Sequence, residues 1–240
     1  METSLQKKPR VAIIIAGTNA PSNAETLAQS FAEGLQGKGV AVSTIILRDL
    51  NIKHFTLERY EPHCADDDDD FCKIETLISE ADGVVIASPI WNFSVPAHLK
   101  NLIDRMGAFG LDVEGRSKGQ LKAKPFFLLY TGGAPMIAWE ALMYLTTLHV
   151  SEAIKYYGGT VTGRHFEPKC VIGRGKFGLV VDQRPASLAS VKKKGAKFGD
   201  IAAHYAENGS LPLTTRLGYQ FFTFLYRVGN RIMYPVSQLQ

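Results

Sequence analysis

The chain is poor in cysteine, with three in 240 residues: Cys64, Cys72 and Cys170, an odd number containing no C-x-x-C pair. That excludes the disulfide scaffold on which small secreted domains rely, and a reducing, cytoplasmic setting is expected. A strong excess of either charge is also missing. The 27 Lys and Arg stand against 23 Asp and Glu, a formal net charge of +4, too weak a bias to imply nucleic acid without a clustered basic face and the wrong sign for an acidic electron carrier. Long apolar runs are lacking too. A membrane-spanning helix needs about 18 or more apolar residues, and the richest stretch, Tyr219 to Tyr234, is broken by Arg227, Gly229, Asn230 and Arg231. The basic start with Lys7, Lys8 and Arg10 precedes an apolar run, Val11 to Ala16, too short for the core of a signal peptide. No G-x-x-x-x-G-K-[ST], H-E-x-x-H or G-x-S-x-G string occurs, so nucleotide-clamp, zinc-protease and α/β-hydrolase readings lapse.

What is present is an ordinary globular composition, 45% hydrophobic and 21% charged, long enough at about 150 residues per domain for one domain with an appendage. Val11 to Ala16 is a continuous, largely β-branched run, the pattern of a parallel strand buried on both faces. After the loop Gly17 to Asn23, Leu27, Ala28, Phe31 and Leu35 recur at helical spacing before Gly37 and Gly39. Further strands are expected at Val40 to Leu47, Gly83 to Ala87, Pro125 to Tyr130 and from Thr160. Helices are expected from Asp70 to Glu80, after Pro96, from Pro135 to about Tyr157, and from Ala186 to Glu207. The alternation implies an α/β fold: a flavodoxin-like, doubly wound, five-stranded parallel sheet of order 2-1-3-4-5. The expected division is a tail over 1–9, the α/β domain over 10–207 and a helical extension over 208–240, rich in aromatic and basic residues.

In such a sheet ligands bind beyond the carboxyl ends of the strands at the switch point, which selects three loops. The first offers Gly17 for close backbone approach, hydroxyls on Thr18 and Ser22, amides on Asn19 and Asn23, and free N–H groups at a helix start, a set able to hold a phosphate monoester. An ordinary βα turn capped by Ser22 or Asn23 is the plainer reading. The second, Ser88 to Pro96, is stiffened by two prolines, and its Trp91 and Phe93 can border a flat heteroaromatic ring, or simply cover the core. The third is Thr131 to Pro135. A G-x-G-x-x-G match at Gly173, Gly175 and Gly178 precedes Leu179 to Val181, which reads as a strand, so the helix a dinucleotide fingerprint needs is missing. The acidic run Asp66 to Asp70 suits the start of a helix better than a metal site. Lys192 to Lys194 and Lys197 read as the wet face of a helix.

The string from Glu80 to Arg105, centred on Ser88-Pro-Ile-Trp-Asn-Phe-Ser-Val-Pro96, resembles the NADPH-dependent FMN reductase family of flavodoxin-like proteins. The resemblance covers about residues 9 to 160. It implies that FMN is the cofactor and NAD(P)H the co-substrate, with hydride passing to the flavin and two electrons onward to a small acceptor such as a quinone, a free flavin or a nitro compound. It further implies that Gly17, Thr18, Asn19, Ser22 and Asn23 hold the phosphate, that Pro89, Ile90, Trp91, Asn92 and Phe93 lie against the ring, and that Thr131, Gly132 and Gly133 form the third flavin loop. No catalytic side chain or metal is required. The chain departs from the family at Ala20, usually basic or polar, and at Ala24, usually threonine. The iron–sulfur branch carries four cysteines where only Cys64 and Cys72 stand, so no cluster is expected.

Two other classes stay open at this stage: a single-electron carrier, and a flavin-free interaction module using its C-terminal segment. A response regulator is excluded, because the third strand ends in Ala87-Ser88 with no phosphoacceptor Asp. The extension, with Tyr219, Phe221, Phe222 and Phe224 among Arg216, Arg227 and Arg231, suits an intramolecular contact or a subunit contact in a homodimer or tetramer, with peripheral contact with an anionic membrane as the alternative.

Overall fold

The computed structural model describes residues 8–58, 68–173 and 176–217. Strands β1 (Arg10–Ile15), β2 (Ala41–Ile46), β3 (Gly83–Pro89), β4 (Pro125–Thr131) and β5 (Thr160–Glu167) form one sheet of order 2-1-3-4-5. Every pairing is parallel. In β1, Ile13 stands between Thr44 and Val85, so the strand is paired on both edges.

Because strand side chains alternate between faces, an unbroken apolar strand must be covered twice. Val11, Ile13 and Ile15, with Val85, Ala87, Phe127 and Leu129, face one layer, made of α1 (Asn23–Gln36) and α8 (Pro185–Asn208). Ala12, Ile14, Val84, Ile86, Phe126 and Leu128 face the other. That second layer holds α2 (Phe71–Glu80), α3 (Ala97–Arg105), α4 (Gly107–Gly110) and α7 (Leu148–Tyr156). In the first layer Phe31, Phe127 and Phe198 meet with ring centroids 4.8 to 5.9 Å apart. The two helices over them touch backbone to backbone: a Cβ at Gly34 would strike the Lys192 carbonyl, and one at Gly195 the Phe31 carbonyl.

Three expectations need correction. The helix expected from Pro135 to Tyr157 is broken into α5 (Met136–Ala138), a π-helical turn (Trp139–Met143), α6 (Tyr144–Thr146) and α7. The cause is local. Trp139 turns inward to stack on Phe166 at 4.2 Å, and the hydroxyls of Thr146 and Thr147 donate back to the carbonyls of Met143 and Tyr144, ending the ladder there. Leu179 to Val181 is not a strand: the antiparallel pair β6 (Val171–Gly173) and β7 (Lys176–Phe177) precedes it, and Val181 opens a 3₁₀ turn (Val181–Gln183). Cys170 is a free, buried thiol, but Cys72 is disulfide-bonded, a single crosslink the cysteine count did not suggest. The one other cysteine of the chain, Cys64, lies outside the described residues.

The described part of the acidic run, Asp68 to Asp70, is absorbed by cations and backbone; Asp66 and Asp67 lie outside the described residues. Asp69 pairs with Arg105, both side chains only 5% exposed, and accepts from the Phe71 N–H; Asp68 pairs with Lys53; Asp70 pairs with Lys73 and accepts from the Asn51 N–H. Gly209, at φ +61, closes α8 by donating to the Tyr205 carbonyl. Among the described residues no helix is long and apolar enough to cross a membrane. The aromatic stretch from Tyr219 onward lies outside them.

Candidate functional site

The loops after β1, β3 and β4 converge at the carboxyl edge of the sheet, where β1 lies between β2 and β3 and the connections reverse direction. Between them is a shallow crevice, open to solvent. From the first loop it is lined by Asn19, Ser22, Asn23 and Ala24; from the second by Pro89, Ile90 and Trp91; from the third by Thr131, Gly132 and Gly133. Cys170 and Gly178 complete the wall. Gly17, Thr18, Asn92 and Phe93, also expected at the site, do not line the crevice itself.

The first loop is shaped by Gly17 and Ser22. A Cβ on Gly17 would lie 2.5 Å from the Ser22 hydroxyl oxygen, so only glycine lets the turn close. Ser22 caps α1, its Oγ accepting from the Glu25 N–H at 3.1 Å. Among the described residues the N–H groups of Thr18, Asn19, Ser22, Asn23 and Ala24 have no protein acceptor. These donors lie around the positive end of a 14-residue helix, the arrangement that receives an anion. Arg48, which the sequence reading did not single out, braces the loop from the end of β2: Nη1 donates to the Asn19 carbonyl at 3.0 Å, and the guanidinium pairs with Glu25.

Asn23 has a different task from the one its position suggests. Its Nδ2 donates to the Gly178 carbonyl at 2.8 Å, and its Oδ1 accepts from the N–H groups of Val180 and Val181 at 2.9 and 3.1 Å. The side chain thereby clasps the segment between β5 and α8 onto the first loop. Gly178, from the glycine string that failed as a dinucleotide fingerprint, reaches the crevice through this clasp. The glycine string marked the residue, but not this role.

In the second loop Trp91 and Ser94 exchange both backbone hydrogen bonds, at 2.8 and 2.9 Å, around a tight turn. Its central residues, Asn92 and Phe93, sit at φ +48 and +68. Asn tolerates that region; Phe does so only with strain of order 1 kcal/mol. Phe93 is 57% exposed. The Ile90 N–H donates to the Thr131 carbonyl at 2.7 Å, joining the second loop to the third. In the third loop a Cβ on Gly132 would come within 2.9 Å of the Phe166 ring and one on Gly133 within 3.1 Å of Val171.

Two ionisable groups border this region in shifted states. Burial holds His98, on the first turn of α3, below the usual imidazole range, opposed by a hydrogen bond with the Ala16 backbone at the exit of β1. Burial likewise pushes the Cys170 thiol up to about 11, so it is a neutral thiol at physiological pH. Neither is an activated nucleophile or base.

The sheet order, the amide-rich loop after β1 and the aromatic loop after β3 define a flavodoxin-like protein with its ligand crevice at the switch point. Residues 9–161 match the family model described as NADPH-dependent FMN reductase. An FMN-dependent NADH:quinone oxidoreductase from Shewanella sp. (strain W3-18-1) is 40% identical over 65 residues, 25% of this chain. The chain spans about a third of the length of the curated relatives it matches, 33%. Among solved structures, the NAD(P)H:quinone oxidoreductase from Methanothermobacter marburgensis superposes with a TM-score of 0.61 at 19% identity, over 80% of this chain and 96% of that one. RosB, solved with bound 8-demethyl-8-formylriboflavin-5′-phosphate, does so with 0.60 at 15%, over 84% and 82%. At those identities the structures speak for the fold. The chain belongs to the NADPH-dependent FMN reductase family, whose cofactor is FMN.

The residues present fit that cofactor. The unpartnered amides at the start of α1 suit a phosphate dianion, and no Asp or Glu is among the described lining residues to repel it. Pro89, Ile90 and Trp91 supply the apolar wall a flat ring requires.

Proposed function

We propose that this protein is an NAD(P)H oxidoreductase that passes two electrons from reduced nicotinamide, by way of FMN, to a small acceptor of the quinone class. One observation carries the reading: three loops at the strands' carboxyl ends meet in one crevice, with amide donors at a helix N-terminus on one side and Trp91 and Ile90 on another. The isoalloxazine supplies the redox chemistry, taking hydride and delivering electrons. The chain's own residues bind and orient. The backbone of Thr18 to Ala24 receives the phosphate, with the Ser22 hydroxyl facing the same crevice. Trp91 and Ile90 border the ring, and the backbone at Gly132 and Gly133 lies against its other edge. Donors fixed before the reaction stabilise charge developing on a bound group without reorganising. Phe93 stands beside the opening, where nicotinamide and acceptor enter in turn.

Exposed apolar side chains at Ile137, Leu142 and Leu145, on the segment after the third loop, support a homo-oligomer; light scattering on the purified protein tests it. The deciding experiment for function is the visible spectrum of purified, FMN-loaded protein before and after anaerobic addition of NADPH or NADH, followed by a benzoquinone. Bleaching of the visible flavin band and its recovery on adding quinone are expected. Bound flavin that neither nucleotide reduces would make the protein an electron carrier instead. Failure to take up FMN would leave an interaction module.

A further inference from the structure

The third crevice loop is held from outside itself. The Gly132 N–H donates to the Glu167 carbonyl at 3.1 Å, the Gly132 carbonyl accepts from the Cys170 N–H at 2.9 Å, and the Ala134 carbonyl accepts from the Lys169 N–H at 3.0 Å. All three bonds end on residues 167–170, the corner where the chain leaves β5. Lys169 there adopts φ +52, a conformation needing support from its surroundings.

That support converges on one carboxylate. Glu167 is 3% exposed. Its Oε1 accepts from Arg184 Nη1 at 2.7 Å and from the Ser187 hydroxyl at 3.0 Å. Its Oε2 faces His165 Nε2 at 3.3 Å. The other nitrogen of that imidazole, Nδ1, meets Lys194 Nζ at 2.7 Å. An ammonium only donates, so Nδ1 accepts, and Nε2 carries the proton toward Glu167. Arg184 also donates to the carbonyls of Pro168 and Lys169, at 2.7 and 2.8 Å, closing the corner from the far side. Burial alone would raise the Glu167 carboxyl, but the hydrogen bonds from His165, Arg184 and Ser187 outweigh it and keep the group ionised.

We propose that Glu167 is a positioning residue for the cofactor: its charge, gripped by Arg184, Ser187 and His165, fixes the 167–170 corner and through it the backbone of Gly132 and Gly133. The inference rests on the FMN reading above. It assigns to α8, outside the stretch matched by the family model, part of the control of the flavin wall. Glu167→Gln keeps the shape but sets an amide N–H₂ against one of the donors.

The test is FMN titration of the apoprotein, followed by flavin fluorescence and by visible circular dichroism of the bound flavin, alongside apoprotein melting. Glu167→Gln is expected to melt cooperatively, to bind FMN roughly tenfold more weakly or worse, and to change the flavin dichroism. Ser187→Ala, which removes a single bond, should shift both in the same direction by less. Ile78→Val, on the buried face of α2, is the control that lowers stability while leaving affinity and dichroism unchanged. If Glu167→Gln behaves like that control, Glu167 is merely structural and the proposal is overturned. If Glu167→Gln does not fold, Ser187→Ala and Arg184→Lys decide: wild-type affinity and dichroism in both overturn it. If the wild-type protein takes up no FMN, the functional reading itself falls, and this inference with it.

Discussion

Replacing Asn23 with alanine separates two roles for a residue at the rim of the crevice. The side chain makes three hydrogen bonds to the segment 178–181, at 2.8, 2.9 and 3.1 Å. At a net ~1 kcal/mol each, their loss costs about 3 kcal/mol. The bonds are part-buried, so water reclaims the freed groups and the cost stays near that figure. Alanine at the first position of α1 introduces no helix penalty of its own. For a chain of this size about 3 kcal/mol corresponds to a fall in melting temperature of roughly 6–12 °C. The assay is thermal melting of apoprotein and holoprotein, with FMN affinity measured below the transition. A structural clasp predicts that the apoprotein already shows most of the loss. A side chain whose task is to touch phosphate would leave the apoprotein unchanged and weaken only FMN binding. An apoprotein melting within about 2 °C of wild type would refute the argument from the clasp.

Other perturbations read other features. Ser22→Asp retains an N-cap of equal quality, so the apoprotein should melt normally, yet the added charge at the phosphate end should prevent FMN uptake; normal flavin content would count against that placement. Gly195→Ala drives a methyl into the Phe31 carbonyl, and a loss of at least about 2 kcal/mol in urea denaturation is expected. His98 has its pKa lowered by burial, so the unfolded chain binds more protons below about pH 6.5, the unfolded value. Its contribution is therefore complete above that pH and declines as pH falls through it. Urea midpoints at pH 7.5 and 5.5 should differ less in His98→Gln than in wild type. Phe93→Asn relieves a strained φ and should raise stability by about 0.5–1 kcal/mol; a loss would show that the phenyl ring packs rather than strains.

The sheet was legible because two-sided burial leaves an unmistakable mark: Val11 to Ala16, Gly83 to Ala87 and Pro125 to Tyr130 are nearly continuous apolar runs. The three loops followed from their place at the ends of those strands. Less was visible where structure depends on contacts distant in the chain. Cys170 and Gly178 reach the crevice only because Asn23 and Gly132 bind that segment, 155 and 38 positions away in the case of the first and second pairings, and local pattern cannot register such pairings. Ser22 and Asn23 look alike as helix-start residues, and geometry alone reveals that one caps α1 while the other reaches across to 178–181. The broken helix after Pro135 shows the same limit, since Trp139 is drawn inward by Phe166 on another strand.

The late arrival of α8 matters for biogenesis. When a nascent chain has emerged only as far as residue 161, Phe31 and Phe127 have each other but not their third partner, Phe198, which has yet to emerge. The segment that Asn23 grips and the corner that supports Gly132 are equally absent. A chain that stops at that point therefore carries only α1 over one face of its sheet, and the crevice wall is complete only once the last third of the chain is in place.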